Sequence, residues 1–253
     1  MKKALIFAKR NAKEILRDPL SWIFCLGFPV AMLVMFRVIS TSSPGEADLF
    51  GLDSLAPGIA VFSFSFVMLY MAILTSKDKS TSFLIRLFSA PMTAFDFLLG
   101  YAIPGLVIAL AQVIFCFAAS ATIAVFTGQA FSIAGYLCGT LVLFPLSIFF
   151  IAMGIFFGTV FSEKAAPGMS SLIISLSGML SGAWMPLETM KAFGTVCRFL
   201  PFYPSVRIGR EAVSLWSGVY DSFMLDTATV LGYIVIACFI ATLAFKSKMK
   251  KDK

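Results

Sequence analysis

The chain has 253 residues, of which 59% are hydrophobic and 13% are charged, with a formal net charge of +7 and no histidine. A soluble domain of this length could not cover so much apolar surface, so the composition indicates a membrane protein that crosses the bilayer several times. The missing histidine excludes zinc-dependent membrane proteases and enzymes with a histidine base, and no metal site is expected. No glycine is followed by lysine, so the phosphate-binding Walker loop is absent and no cofactor is expected in this chain.

The first 19 residues are predicted to form an amphipathic helix that lies on the membrane surface. Its apolar positions recur at helical spacing: Leu5, Ala8, Ala12 and Ile15. The opposite face carries lysines and arginines, which suit an anionic inner leaflet and make membrane lipids a partner. Pro19 is expected to end this helix. The alternative is a plain basic tail that only sets topology.

Charge-free runs locate the transmembrane segments, because an ion at the bilayer centre costs about 2.5–3.5 kcal/mol. The run 97–162 is too long for one helix, since a span needs about 20 residues. The sequence TGQAFS at 127–132 divides it. The prediction is six spans, near 21–39, 56–75, 98–126, 133–160, 166–184 and 227–245.

The distribution of lysine and arginine predicts the orientation. The N-terminal region and the C-terminal tail are strongly basic, whereas loops 40–55 and 127–132 contain neither lysine nor arginine. The positive-inside rule therefore places both termini and loop 75–97 in the cytoplasm. One outer segment, 185–226, also carries cations, and they can bind either substrate or lipid headgroups: Lys191, Arg198, Arg207 and Arg210.

Few polar groups interrupt the spans. Arg37, at the outer end of the first span, is expected to reach the headgroups, with substrate contact as the alternative. Gln112 is expected to form an interhelical hydrogen bond rather than to belong to a binding site. Because the spans hold no relay of buried charges, any transport would draw its energy from elsewhere. Four of the five cysteines lie within spans, so no structural disulfide is expected.

Residues 77–91 are half charged and half apolar, too polar to span a bilayer and too apolar for a solvated loop. On a helix, Phe83 stacks with Leu87 and Leu84 with Phe88, and Pro91 ends the helix. Such a helix either rests on lipid or inserts its apolar face into a groove of a cytoplasmic partner.

This stretch resembles the loop between spans two and three of type-2 ABC exporter permeases, in particular the daunorubicin-resistance and multidrug types. STSFLIRLFSAP followed by FLLG matches the family pattern, with serine for the usual glycine and no glutamate after the threonine. The resemblance implies a coupling helix at 77–91 that docks on a separate ATPase subunit, which binds the ATP and magnesium. The implied coupling residues are Ser80, Thr81, Phe83, Leu84, Arg86, Leu87, Phe88 and Pro91.

A second resemblance lies in LSGAWMPLETM (180–190) and FLPFYPSVRIGREAV (199–213). Two amphipathic pieces, 187–200 and 205–217, are too short to cross and are broken by Pro201 and Pro204. Val206, Val213 and Trp216 fall on one face at helical spacing. Re-entrant helices over 187–217 satisfy the backbone at membrane depth, and in the family they would form an outer lid.

Six spans make half of a pathway, so a second permease chain is implied, identical or homologous. Small residues at four-residue spacing suit close helix packing, within or between chains: Gly135–Gly139, Gly154–Gly158 and Gly178–Gly182. Either core packing or a flexible apolar substrate path accounts for a further set of residues. These are Phe28, Met32 and Met35 on the first span and Ser171, Ser175, Gly178 and Gly182 on one face of the fifth.

The predicted fold is therefore an all-α polytopic membrane protein with six transmembrane helices, an interfacial helix, a cytoplasmic coupling helix and short re-entrant outer helices. The resemblance implies a non-enzymatic permease that exports an amphipathic or lipid-like substrate and binds no nucleic acid. Two alternatives are a polysaccharide or teichoic-acid exporter within the family and a non-transport assembly or sensory component.

Overall fold

The computed structural model describes residues 2–42, 51–81, 93–185, 187, 190–216 and 222–251. Every regular element in these ranges is helical. The helices are α1 (Lys2–Arg17), α2 (Pro19–Trp22), a π-helical turn (Ile23–Gly27), α3 (Phe28–Ser42), α4 (Leu52–Ser80), α5 (Ala94–Thr127), α6 (Ile133–Val160), α7 (Ala166–Leu180), α8 (Lys191–Arg198), α9 (Phe202–Val213) and α10 (Phe223–Lys251).

Four of these helices are long and apolar enough to cross a membrane: α4, α5, α6 and α10. The stretch Ile23–Ile39 and helix α7 are apolar but shorter. The four long helices overlap the predicted spans 56–75, 98–126, 133–160 and 227–245, and the two shorter apolar stretches overlap the predicted spans 21–39 and 166–184. Helix α6 has the predicted limits, α7 ends at Leu180, before the predicted limit, and α4, α5 and α10 extend beyond theirs. The reason is that α4, α5 and α10 continue past the charge-free stretch into polar sequence, where they are held by capping groups and side-chain contacts.

The break predicted at 127–132 is confirmed. Helix α5 begins with a capping box, in which the Thr93 hydroxyl accepts from the Asp96 amide at 3.3 Å and the Asp96 carboxylate accepts from the Thr93 amide at 3.1 Å. It ends at Gly128, whose φ of +67° is left-handed and favours glycine. Ser132 then caps α6 by accepting from the Gly135 amide at 3.0 Å.

Helix α4 forms the centre of the bundle. Of its apolar segment 83% is buried, against 22% for α10, so most of the α10 surface lies on the outside of the bundle. Helix α4 packs most extensively against α6 and also contacts α5, α7 and α9. The pair Gly154–Gly158 of α6 serves this packing within the chain: Gly154 lies against Met68 and Met71, and Gly158 against Ala72 and Thr75.

Replacement of Gly158 by alanine is expected to destabilise the fold. A methyl group there would lie 2.6 Å from the Ala72 carbonyl oxygen and 2.6 Å from Cβ of Thr75, which costs about 1–3 kcal/mol. The matched control is Gly232→Ala in α10, where no atom lies within 4 Å and alanine favours the helix by about 0.8–1 kcal/mol. Thermal unfolding in detergent should show a lower midpoint for Gly158→Ala only. Equal midpoints would contradict the α4–α6 contact.

Candidate functional site

The last turn of α4 contains a buried carboxylate, Asp78, whose residue is only 1% exposed. Its Oδ2 atom accepts from Arg10 Nη1 at 2.6 Å and from the Tyr101 hydroxyl at 2.8 Å. A buried carboxylate is costly unless it is paired and hydrogen-bonded. Here one cation and one hydroxyl satisfy it, and they join α1, α4 and α5 at a single atom.

Helix α1 reaches this position because part of its apolar face packs on α5. Phe7 packs edge-on against Phe97 and Tyr101, at centroid distances of 5.8 and 4.9 Å. Gly100 leaves room for the Phe7 ring, and its carbonyl oxygen accepts from Asn11 Nδ2 at 3.0 Å. The amphipathic helix predicted over 1–19 is therefore present, with part of its apolar face docked on α5.

Further contacts hold the same turn of α4. Glu14 bridges Arg10 and Lys77, with nitrogen–oxygen distances of 2.9 Å to each. Lys79 donates to the carbonyl oxygens of Thr159, at 2.9 Å, and Phe161. Ser80 donates to Glu163 in the turn before α7. The end of α4 is thus attached to α1, to α5 and to the connection between α6 and α7.

Arg10 remains charged in this environment. Burial lowers its pKa, but the hydrogen bond and the charge of Asp78, together with the charge of Glu14, outweigh burial and raise the pKa above its ordinary value.

Two of the predicted coupling residues, Ser80 and Thr81, lie at this end of α4. The helix predicted to begin at 77 is corrected here, because residues 77–80 continue α4 and Thr81 closes it by donating to the Lys77 carbonyl oxygen at 3.1 Å. The remaining predicted residues lie outside the described part of the chain: Phe83, Leu84, Arg86, Leu87, Phe88 and Pro91.

The residues predicted for a substrate path do not form one continuous surface. Phe28 is half-buried against Phe66, with centroids 4.7 Å apart, and Met32 packs on the core, whereas Met35 is exposed. Ser171 and Ser175 are exposed and donate to carbonyl oxygens of their own helix.

Gly178 and Gly182 are buried and do not share the exposed surface of Ser171 and Ser175. Gly178 is buried beside Trp184 and Phe62. The predicted shared face with Gly182 is wrong, because α7 ends at Leu180 and Gly182 follows it with a φ of +66°.

An aromatic cluster that sequence reasoning missed connects α3, α4 and the exit of α7. Trp184 stacks on Phe36 at 5.5 Å and meets Phe62 edge-on at 4.8 Å. Phe62 also contacts Phe66 at 5.5 Å. Phe28 completes the cluster. These rings come from segments far apart in sequence, so no local spacing signals the cluster.

Two polar residues in the spans differ from expectation. Gln112 is 1% exposed, and neither of its amide atoms has a hydrogen-bond partner among the described residues, so the predicted interhelical bond is wrong. Arg37 Nη2 lies 2.8 Å from the amide oxygen of Gln129 when that amide is oriented to satisfy both groups. Arg37 therefore joins α3 to the turn after α5.

The outer segment contains two helices, α8 and α9, and α9 is buried along its whole length. The predicted break at Pro204 is wrong. This proline occupies the first turn of α9, where the backbone N–H has no intrahelical partner and proline is tolerated. Only residues 199–201 separate the helices. Trp216 is not on the α9 face, since α9 ends at Val213.

Buried arginines attach α9 to the bundle. Arg210 donates to the carbonyl oxygens of Ser54, at 3.1 Å, and Gly182, at 2.9 Å, and so joins the start of α4 to the exit of α7. Arg207 lies 3.4 Å from the Asp226 carboxylate and donates to the Ser222 hydroxyl at 2.7 Å. Both arginines bind within the protein, whereas Arg198 is exposed.

The sequence model of the ABC-2 type transporter family matches residues 3–213. The match covers most of the chain, from α1 through α9, and includes both segments that carry the family resemblance. The chain therefore belongs to the ABC-2 type transporter family and is a membrane-spanning permease component of such a transporter. Permeases of this family are not themselves catalytic and work with a cytoplasmic ATPase subunit. No curated protein sequence gives a significant match.

Removal of the Asp78 carboxylate is expected to destabilise the chain. Asp78→Ala leaves the buried Tyr101 hydroxyl without its acceptor, which costs about 1–3 kcal/mol, whereas Asp78→Asn keeps an acceptor and should cost less. The matched control is Glu163→Gln, which alters an exposed contact of the same turn and should cost about 1 kcal/mol or less. The measurement is the thermal unfolding midpoint in detergent, and an Asp78→Ala chain as stable as Glu163→Gln would rule out the network.

Proposed function

We propose that this permease exports an amphipathic or lipid-like compound with energy from a separate cytoplasmic ATPase that docks on segment 82–91. The observation that carries the proposal is the attachment of the α4 terminus directly before this segment. Asp78, Lys79 and Ser80 tie that turn to α1, to α5 and to the α6–α7 connection. A displacement of the docking segment would therefore move several helices together rather than unwind one helix end.

The arrangement suits a coupling element in a further respect. The last turn of α4 continues the same helix that forms the centre of the bundle. A helix transmits an axial displacement along its length, because its hydrogen bonds run parallel to its axis. Motion at Ser80 would thus reach the aromatic cluster at Phe62 and Phe66, on the same helix.

The aromatic cluster supports an amphipathic substrate. Phe28, Phe36 and Trp184 are half-buried and offer apolar surface to a substrate, whereas Phe62 and Phe66 are buried beneath them. Stacked or edge-on aromatic pairs stabilise such contacts beyond area burial alone. Polar polymers would need hydrogen-bonding side chains along the path, and these five offer little of that kind. A second copy of the chain, or a homologous permease, would complete the path on the side where Met35, Ser171 and Ser175 are exposed.

Charging the predicted coupling face should uncouple the ATPase without disturbing the spans. Leu87→Glu would place an unpaired charge in an apolar groove of the partner, which costs several kcal/mol. The ATPase should then co-purify poorly and export should fall. Ala130→Glu, in the exposed turn between α5 and α6, is the matched control and should retain the ATPase. Normal recovery of the ATPase with Leu87→Glu would remove the coupling assignment.

The proposed orientation predicts which turns face the cytoplasm. In a variant whose native cysteines are replaced, a single cysteine at Ala130 should react with a membrane-impermeant maleimide in intact cells. A cysteine at Ala165, in the exposed turn before α7, should react only after permeabilisation, because the turn beside the proposed ATPase site would be cytoplasmic. The opposite labelling pattern would reject both the orientation and the docking side.

A further inference from the structure

A cavity of about 710 Å³ lies between α1 and the Tyr70–Lys77 portion of α4. Its two walls differ in chemistry. Helix α1 contributes the cations Lys9, Lys13 and Arg17, whereas α4 contributes Tyr70, Ile73 and Leu74. The cavity is open on one side, and its volume exceeds what a single small ion requires.

The three cations of the α1 wall are not engaged elsewhere in the described ranges. Arg10 and Lys77, which also border the cavity, are paired with Asp78 and Glu14. Lys9, Lys13 and Arg17 are exposed and have no ion pair among the described residues. Five cationic and two acidic side chains line the cavity in all, so it carries a positive field that attracts an anion.

The apolar wall restricts the kind of anion. A soluble anion such as phosphate would leave the half-buried Ile73 and the exposed Ile6 in contact with water, whereas an anion with an attached hydrocarbon chain would cover them. Helix α1 also exposes Ile6 at the edge of the cavity, together with Leu5 and Leu16 on its lipid side. An interfacial helix with exposed apolar side chains places the cavity at the depth of lipid headgroups.

We propose that this cavity binds one anionic phospholipid. Its phosphate lies against Lys13 and Arg17, and the upper part of an acyl chain lies along Ile6 and Ile73. The lipid would contact both α1 and α4 beside the Glu14–Lys77 bridge and so hold α1 against the helix that leads to segment 82–91. This goes beyond a general attraction of basic residues to an anionic surface, because it assigns a defined site on two helices.

The test measures lipid retained by the purified full-length chain. The chain in detergent is incubated with equal amounts of phosphatidylglycerol and phosphatidylcholine, and bound lipid is counted by native mass spectrometry. Wild type should retain phosphatidylglycerol in preference. The double variant Lys13→Gln/Arg17→Gln should weaken this retention by about thirtyfold, since each cation near an anionic lipid contributes about a fivefold factor. Both positions are exposed, and glutamine is a good helix former, so the variant should fold.

Two controls separate a site from general electrostatics. Lys246→Gln/Lys250→Gln removes the same charge from exposed positions of α10 outside the cavity and should retain phosphatidylglycerol as wild type does. Ile73→Trp keeps every charge but narrows the apolar wall, and it should also reduce retention. Equal losses in the two double variants, or full retention by Lys13→Gln/Arg17→Gln, would overturn the proposal.

Inorganic phosphate distinguishes a lipid from a free anion. If millimolar inorganic phosphate raised the unfolding midpoint as much as phosphatidylglycerol does, the cavity would be a phosphate site and the lipid assignment would be overturned. A larger shift with phosphatidylglycerol supports the lipid. No ATPase, substrate or membrane orientation enters these measurements, so their failure would leave the proposed export function unaffected.

Discussion

The buried carboxylate of Asp78 organises the end of the bundle from which α4 leaves the membrane. One oxygen accepts from both Arg10 and Tyr101, at 2.6 and 2.8 Å, and these donors come from α1 and α5. An ion removed from water needs such partners, because the free energy of desolvation is recovered only through close and well-directed contacts. The docking of α1, the ring contacts of Phe7 and the bridge made by Glu14 all depend on this arrangement.

A buried charged side chain also joins helices at the opposite end of the bundle. Arg210 donates to the Ser54 carbonyl oxygen in the first turn of α4 and to the Gly182 carbonyl oxygen at the exit of α7. Helix α4 is therefore held by charged side chains at both ends and by apolar packing between them. This distribution suits a rigid central helix with polar attachment points, around which the more exposed α5 and α10 contact lipid.

Small residues form some of the helix contacts in the interior, and aromatic residues form others. Along α6, Gly154 and Gly158 bring its backbone close to that of α4. Phe62, Phe66 and Trp184 lie where α4 meets α3 and the exit of α7, and there large rings fill the space between the helices. In a membrane, helices associate chiefly through such packing, since lipid removes most of the hydrophobic driving force between them. Close contact on one side of α4 and aromatic contact on the other follow from the residues at each interface.

The amino-acid sequence by itself determined the class, the helical regions, the break at Gly128 and the family pattern, because hydropathy, charge and turn residues act locally along the chain. It predicted the basic amphipathic α1 and the two outer helices. It also placed a break at Pro204, but this residue lies within the first turn of α9. Only the tertiary structure decided the role of Asp78, because the sequence KDKS gives no sign that one of its charges is buried. It also decided the roles of Arg207 and Arg210, for which the sequence allowed contact with either substrate or lipid headgroups. Their partners lie in distant helices, so neither spacing nor composition could reveal them. The same reason explains Gln112, whose missing partner depends on what α5 packs against rather than on α5 itself.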